Sequence, residues 1–205
     1  MGLTNLPRIA VLASGRGSNF EAIAKAIEAG QLAAQICVVA SDKKDAGVLD
    51  KARARGLSTL VEKDQTILAD ALQVQGAEFV VLAGYMKILK DSFIQKFWDD
   101  RGFSRIVNIH PSLLPAFPGL HSYRQAFDSG AKETGVTVHF VDAGVDTGPI
   151  CAQQSFPIAD CSTPEEVESR GLKIEHQLYP QTLKWILANK FEVKIREGRI
   201  YVQPH

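Results

Sequence analysis

Short apolar runs rich in β-branched residues alternate with helical stretches through the first half of the chain, and this alternation narrows the fold more than any other feature. Residues 8–13, 36–40, 60–61, 79–83 and 106–110 read as five strands. Helical patterns lie between them: one runs to Ala29 and stops at Gly30, a short one continues through residues 51–55 and stops at Gly56, and one covers residues 66–75. The first strand is apolar without a break, as a strand covered on both faces should be. Strands alternating with helices imply a mostly parallel sheet joined by right-handed crossovers.

The second half changes pattern. Residues 135–141 alternate in polarity and read as a strand, with residues 150–156 as an antiparallel partner across a short loop. Thr163-Pro164-Glu165-Glu166 is a helix start, with a capping hydroxyl, a proline in the first turn and acids at the positive end of the dipole. That helix extends to Asn189 with a bend near Gly171, and residues 191–202 read as a hairpin turning at Glu197-Gly198. No linker divides the 205 residues, a length that suits one α/β domain. The expected fold is a single-domain α/β three-layer sandwich: a Rossmann-like, mostly parallel sheet with an antiparallel C-terminal part.

Lys+Arg and Asp+Glu both number 23, and that balance argues against bulk binding to nucleic acid. No run reaches membrane-spanning length, residues 1–8 lack a signal-peptide pattern, and Leu6 stands where myristoylation needs Ser or Thr. Cys37, Cys151 and Cys161 are odd in number and show no CxxC spacing, so they read as reduced thiols of a cytoplasmic protein.

The densest chemistry is Asn108-Ile109-His110-Pro111-Ser112-Leu113-Leu114-Pro115. Along a strand Ile106, Asn108 and His110 share one face and Val107 and Ile109 the other. Pro111 ends the ladder and keeps His110 extended. An amide donor and a titratable imidazole then emerge together, able to bind an oxyanion and move a proton. A strand-capping Asn beside an exposed His is the plainer alternative. In Gly15-Arg16-Gly17-Ser18-Asn19, glycines between a strand and a helix let backbone N–H groups reach an anion. Phe20 fills the third glycine position of GxGxxG, and the P-loop pattern is absent, so the loop suits a monophosphate or is simply a tight turn. The loop from Asp142 to Pro149 carries two acids, of which Asp146 could orient an imidazole or sit in an exposed turn. These segments, with residues 86–89, fall at the C-terminal ends of expected strands, where open parallel sheets bind ligands.

Taken with Leu82-Ala83-Gly84-Tyr85-Met86-Lys87-Ile88-Leu89, Phe117-Pro118-Gly119-Leu120-His121, Val138-His139-Phe140-Val141, Asp146-Thr147-Gly148-Pro149 and Glu175-His176, the chain resembles the folate-dependent phosphoribosylglycinamide formyltransferases over nearly its whole length. The resemblance implies the formyltransferase fold, with a phosphate-binding half at about residues 7–110 and a folate and catalytic half at about residues 111–205. It implies a catalytic trio of Asn108, His110 and Asp146. Gly17, Ser18, Asn19 and Glu175 would hold glycinamide ribonucleotide (GAR). Met86, Lys87, Ile88, Leu89, Asn108, Asp142, Ala143, Gly144, Val145 and Asp146 would surround 10-formyltetrahydrofolate, the co-substrate. The stretch between Val61 and Glu78 is shorter than in the family, and Lys63 is the match for a basic residue that contacts the folate there. Direct formyl transfer in purine biosynthesis is the implied reaction, with no nucleic acid or membrane partner and a monomer or homodimer as the assembly. Rivals are a formyl-folate hydrolase, which carries an additional N-terminal domain in that family picture, and a non-catalytic nucleotide- or folate-binding protein. A tRNA formyltransferase would add a basic C-terminal domain that a chain ending at 205 residues with balanced charge lacks. The five histidines show no ligand pair at helical spacing, so no metal is expected; His139 reads as a structural or sheet-surface residue, and His121 either lies near the site or is a plain loop histidine.

Overall fold

The computed structural model describes residues 6–196 and 199–205, so the turn expected at Glu197-Gly198 lies outside the described residues. The first half consists of β1 (Arg8–Leu12), α1 (Ser18–Glu28), β2 (Gln35–Ser41), α2 (Gly47–Arg53), β3 (Thr59–Val61), α3 (Gln65–Val74), β4 (Phe79–Leu82) and α4 (Asp91–Gln95). A small hairpin, β5 (Trp98–Asp99) and β6 (Phe103–Ser104), leads into β7 (Ile106–His110). Then come α5 (Ser122–Asp128), β8 (Glu133–Phe140), β9 (Ile150–Pro157), α6 (Pro164–Leu187), β10 (Phe191–Arg196) and β11 (Arg199–Pro204).

One sheet carries nine of these strands in the order β10-β11-β9-β8-β7-β4-β1-β2-β3. The strands from β7 to β3 run parallel, and β8 and β9 continue antiparallel. The final hairpin joins β9 through one parallel bridge, Tyr201 to Ile150. This is the mixed architecture expected. Helices α1, α2, α5 and α6 pack on one face, where Phe20, Ile23, Leu49, Tyr179 and Leu183 meet Val11, Val81 and Val107. Helices α3 and α4 cover the other, with Leu68, Leu72, Phe93 and Ile94 against Leu12, Val80 and Ile106. Residues 106, 107 and 109 divide between the faces as strand periodicity requires.

Local chemistry explains the helix ends. The Asp64 carboxylate accepts from the N–H groups of Thr66 and Ile67 and so caps α3, and those bonds hold its carboxyl below the usual range. Thr163 caps α6 through the Glu166 N–H, with Pro164 next. Two boundaries move from expectation. Helix α2, which begins at Gly47, ends at Arg53 rather than Arg55, with the chain turning at Gly56 (φ +69°). Helix α6 stops at Leu187, two residues before Asn189, whose backbone is left-handed. The buried Tyr179 of α6 directs its hydroxyl at the carbonyls of Leu82 and Val107, 3.0 and 2.9 Å away, and so ties this helix to β4 and β7.

One expectation needs correcting. The loop carrying Asp146 does not leave the C-terminal edge of the parallel sheet. Strand β8 runs against β7, pairing His110 with Thr137 and Val107 with Phe140, so its end lies beside the start of β7. The Val141 N–H bonds the Ile106 carbonyl there. The following loop returns along the sheet face to bring Asp146 to His110.

Candidate active site

A cleft of about 800 Å³ follows the C-terminal ends of β1, β4 and β7 and continues over the face of β7 and β8. Its size is that of a small-molecule site. Its lining includes the glycine loop, residues 82–89, the end of β7, the start of α5, the Asp146 loop and one side of α6.

The glycine loop forms one end. Gly17 has φ +75°, and a Cβ there would lie 2.7 Å from Val48 Cγ2 and 3.0 Å from Val48 Cα. Only glycine meets both conditions. Helix α1 begins directly afterwards with no side-chain cap, so its first N–H groups remain available for an anion. Ser14, ahead of the loop, donates to Asp42 (2.6 Å) and accepts from the Met86 N–H (3.0 Å), which fixes the glycine loop against the β4 loop. One of the two hydrogens on Asn19 Nδ2 goes to Glu175 Oε2 at 2.6 Å, and the phenol of Tyr123 donates to Glu175 Oε1 at 2.6 Å. Burial, with the Glu175 charge adding to it, pushes the Tyr123 phenol far above its ordinary pKa, so it stays a donor.

The other end is a side-chain network. His139 Nδ1 lies 2.8 Å from the Phe140 carbonyl, an acceptor, so that nitrogen carries the proton. Its Nε2 then accepts from Asn108 Nδ2 at 3.1 Å. Burial depresses the His139 pKa, which agrees with this neutral tautomer. Asn108 keeps a second amide hydrogen for the cleft. His110 Nε2 lies 2.9 Å from the Phe117 carbonyl, and its Nδ1 lies 3.3 Å from Asp146 Oδ2. Both of these partners are acceptors, and the Ser122 hydroxyl lies 3.2 Å from the same Nε2. Asp146 also accepts from the Gly119 N–H at 2.8 Å. Phe117 (φ +52°) and Asp146 (φ +55°), the two residues that bracket His110, both have left-handed backbones, which side chains adopt at a cost.

The structure thus brings Asn108, His110 and Asp146 together, and Gly17, Ser18, Asn19 and Glu175 meet at the opposite end. Met86, Lys87, Ile88, Leu89, Asp142, Gly144 and Val145 also line the cleft. Met86, Ile88, Leu120 and Val145 are exposed apolar side chains there, and a flat aromatic ligand would cover them. Lys63 and Ala143 do not contribute to the lining; Lys63 sits exposed on the turn after β3. Sequence reasoning missed Leu120 and Tyr123, and it took His139 as a structural or sheet-surface residue. The alternation of Thr137 and His139 along β8 was a usable signal, once β8 is paired beside β7. Among the described residues no three His, Cys, Asp or Glu side chains gather as metal ligands, and no helix is long and apolar enough to cross a membrane.

An open parallel sheet with an anion-ready helix end at one side of the cleft and an amide–imidazole–carboxylate group at the other defines a group-transfer site. The formyl transferase family model matches residues 7–183. Phosphoribosylglycinamide formyltransferase of Bacillus subtilis is 38% identical over 192 residues, covering 89% of this chain and 96% of the relative. The enzyme of that name from Haemophilus influenzae is 40% identical over 199 residues, with 92% and 91% covered. The crystal structure of glycinamide ribonucleotide transformylase 1 from Symbiobacterium toebii superimposes with a TM-score of 0.89 at 38% identity, over 98% of this chain and 95% of that one. The chain belongs to the formyl transferase family and, within it, to the phosphoribosylglycinamide formyltransferases.

Proposed function

We propose that this protein moves the formyl group of 10-formyltetrahydrofolate directly to the amine of GAR, giving formyl-GAR and tetrahydrofolate. The observation that carries this reading is the juxtaposition of Asn108, His110 and Asp146 at one end of a cleft whose other end presents an uncapped helix N-terminus. The α1 N-terminus, with Gly17 and Ser18, takes the phosphate of GAR, and Glu175 accepts from the hydroxyl groups of its ribose. The apolar rim of Met86, Ile88, Leu120 and Val145 takes the pterin and its neighbouring ring, with Lys63 left outside.

The amine of GAR attacks the formyl carbon, and negative charge develops on the formyl oxygen. The free N–H of Asn108 donates to that oxygen, and His110, paired with Asp146, supplies positive charge beside it. His139 holds the Asn108 amide in the donating orientation. The carbon–nitrogen bond to the folate then breaks, and N10 receives the proton that the attacking amine gives up, with water as the carrier. The three unpaired thiols are those of a protein kept in the reducing cytoplasm, where we place it.

The test follows consumption of 10-formyltetrahydrofolate by absorbance, with and without GAR. Loss that requires GAR, with one formyl-GAR made per folate released, is the expected result. Loss at the same rate without GAR would make the protein a hydrolase. Saturable binding of both ligands without turnover would make it a binding protein.

A further inference from the structure

Glu175 is a buried carboxylate, 6% exposed, that lines the same end of the cleft as the anion-ready turn of α1. A carboxylate so close to a bound phosphate would repel it unless the charge is spread over donors. Two donors are present, one on each oxygen: Asn19 Nδ2 and Tyr123 Oη, both at 2.6 Å. Each oxygen still has a lone pair for a neutral hydroxyl donor.

The Tyr123 bond depends on a gap in α6. A Cβ on Gly171 would lie 2.1 Å from Tyr123 Oη and 2.2 Å from its Cζ. Gly171 precedes Glu175 by four residues, so it lies one turn earlier on the same side of the helix. Glycine inside a helix is unfavourable for the helix itself. Here it opens the space through which a phenol on α5 reaches a carboxylate on α6.

We propose that Tyr123 is a positioning residue: it fixes the Glu175 carboxylate in the orientation that receives the sugar hydroxyls of the phosphorylated substrate. The inference rests on the reading of the cleft given above. Tyr123 acts through Glu175 and has no part in the formyl-transfer step, so its effect falls on one substrate only.

The experiment measures kcat and KM for GAR and for 10-formyltetrahydrofolate, with thermal unfolding alongside, in the wild type, Tyr123→Phe, Gly171→Ala and the double variant. Tyr123→Phe is expected to raise KM for GAR roughly tenfold, the effect of one hydrogen bond to a charged group. The KM for the folate and kcat stay within about twofold, as expected of lost uniform binding. Gly171→Ala displaces the same phenol and moves KM for GAR in the same direction. The double variant should be no worse than the more affected single one, because both remove one contact. Unchanged KM for GAR in a folded Tyr123→Phe, or equal losses toward both substrates, would overturn the inference while the transfer reading stands. A wild type without GAR-dependent turnover would overturn both.

Discussion

The two ends of the cleft hold their functional groups by different means. At the glycine loop, recognition rests on the backbone: a helix start without a cap, and a glycine that no other residue can replace beside Val48. At the Asn108–His110 end the working atoms belong to side chains, each held by another side chain or by a carbonyl from a left-handed residue. The first arrangement belongs to the regular β-α half of the sheet. The second arises where β8 reverses direction and the following loop must cross the sheet face. An anion can be bound by the stiff geometry that the parallel topology already provides. Stabilising a charge that appears only during reaction calls for donors aimed in advance, and aiming requires a supporting shell.

The comparison can be broken most easily at the side-chain end. Asn108→Ala and His110→Ala should each lower kcat by about 10²–10³, with folding intact and KM for GAR little changed. Steady-state kinetics with circular dichroism as the folding control tests this, and near-normal turnover in His110→Ala would remove the chemical role assigned to this end. Gly17→Ala probes the backbone end. It forces alanine into a left-handed conformation against Val48, and denaturant unfolding should show a stability loss on the order of 2 kcal/mol. Its kinetic effect should fall on KM for GAR more than on kcat; the reverse would mean that the two ends are not separable.

The smallest effect concerns pH. Burial lowers the His139 pKa in the folded chain. As pH falls below about 6.5, the unfolded chain takes up a proton on this residue and the folded chain does not. Stability therefore declines from that point down to the depressed folded value and is unaffected by His139 above it. His139→Gln keeps an acceptor for Asn108 and removes this titration, so its unfolding midpoint should be flatter between pH 6.5 and 5 than that of the wild type. Parallel curves for the two proteins would show that His139 does not carry the pH dependence.

The parallel half of the fold was legible because its signals are local. An apolar run, a glycine loop and a helical apolar pattern each lie within about a dozen residues, as at β1, Gly17 and α1. Asn108 and His110 were legible for the same reason, being two residues apart on one strand. What could not be read was set by pairing at a distance. His139 joins the site only because β8 lies beside β7, 31 residues from Asn108. Tyr123 meets Glu175 across 52 residues, with no periodic pattern to announce it. Asp146 was given its catalytic role through the family resemblance; the residues alone left it as either a site acid or an exposed turn, and its path over the sheet face follows from a strand direction that composition does not encode.

The hydroxyl of Tyr179 between the carbonyls of Leu82 and Val107 has a consequence for the order in which the molecule is completed during synthesis. Chains emerge from the ribosome N-terminus first. When β9 has been made, Asn108, His110, His139 and Asp146 are all present, yet Glu175 and the helix that fastens β4 to β7 are still to come. The nascent protein therefore owns its full set of reactive groups before it owns the receptor for the sugar phosphate, and the last helix to be translated before the final hairpin closes that gap.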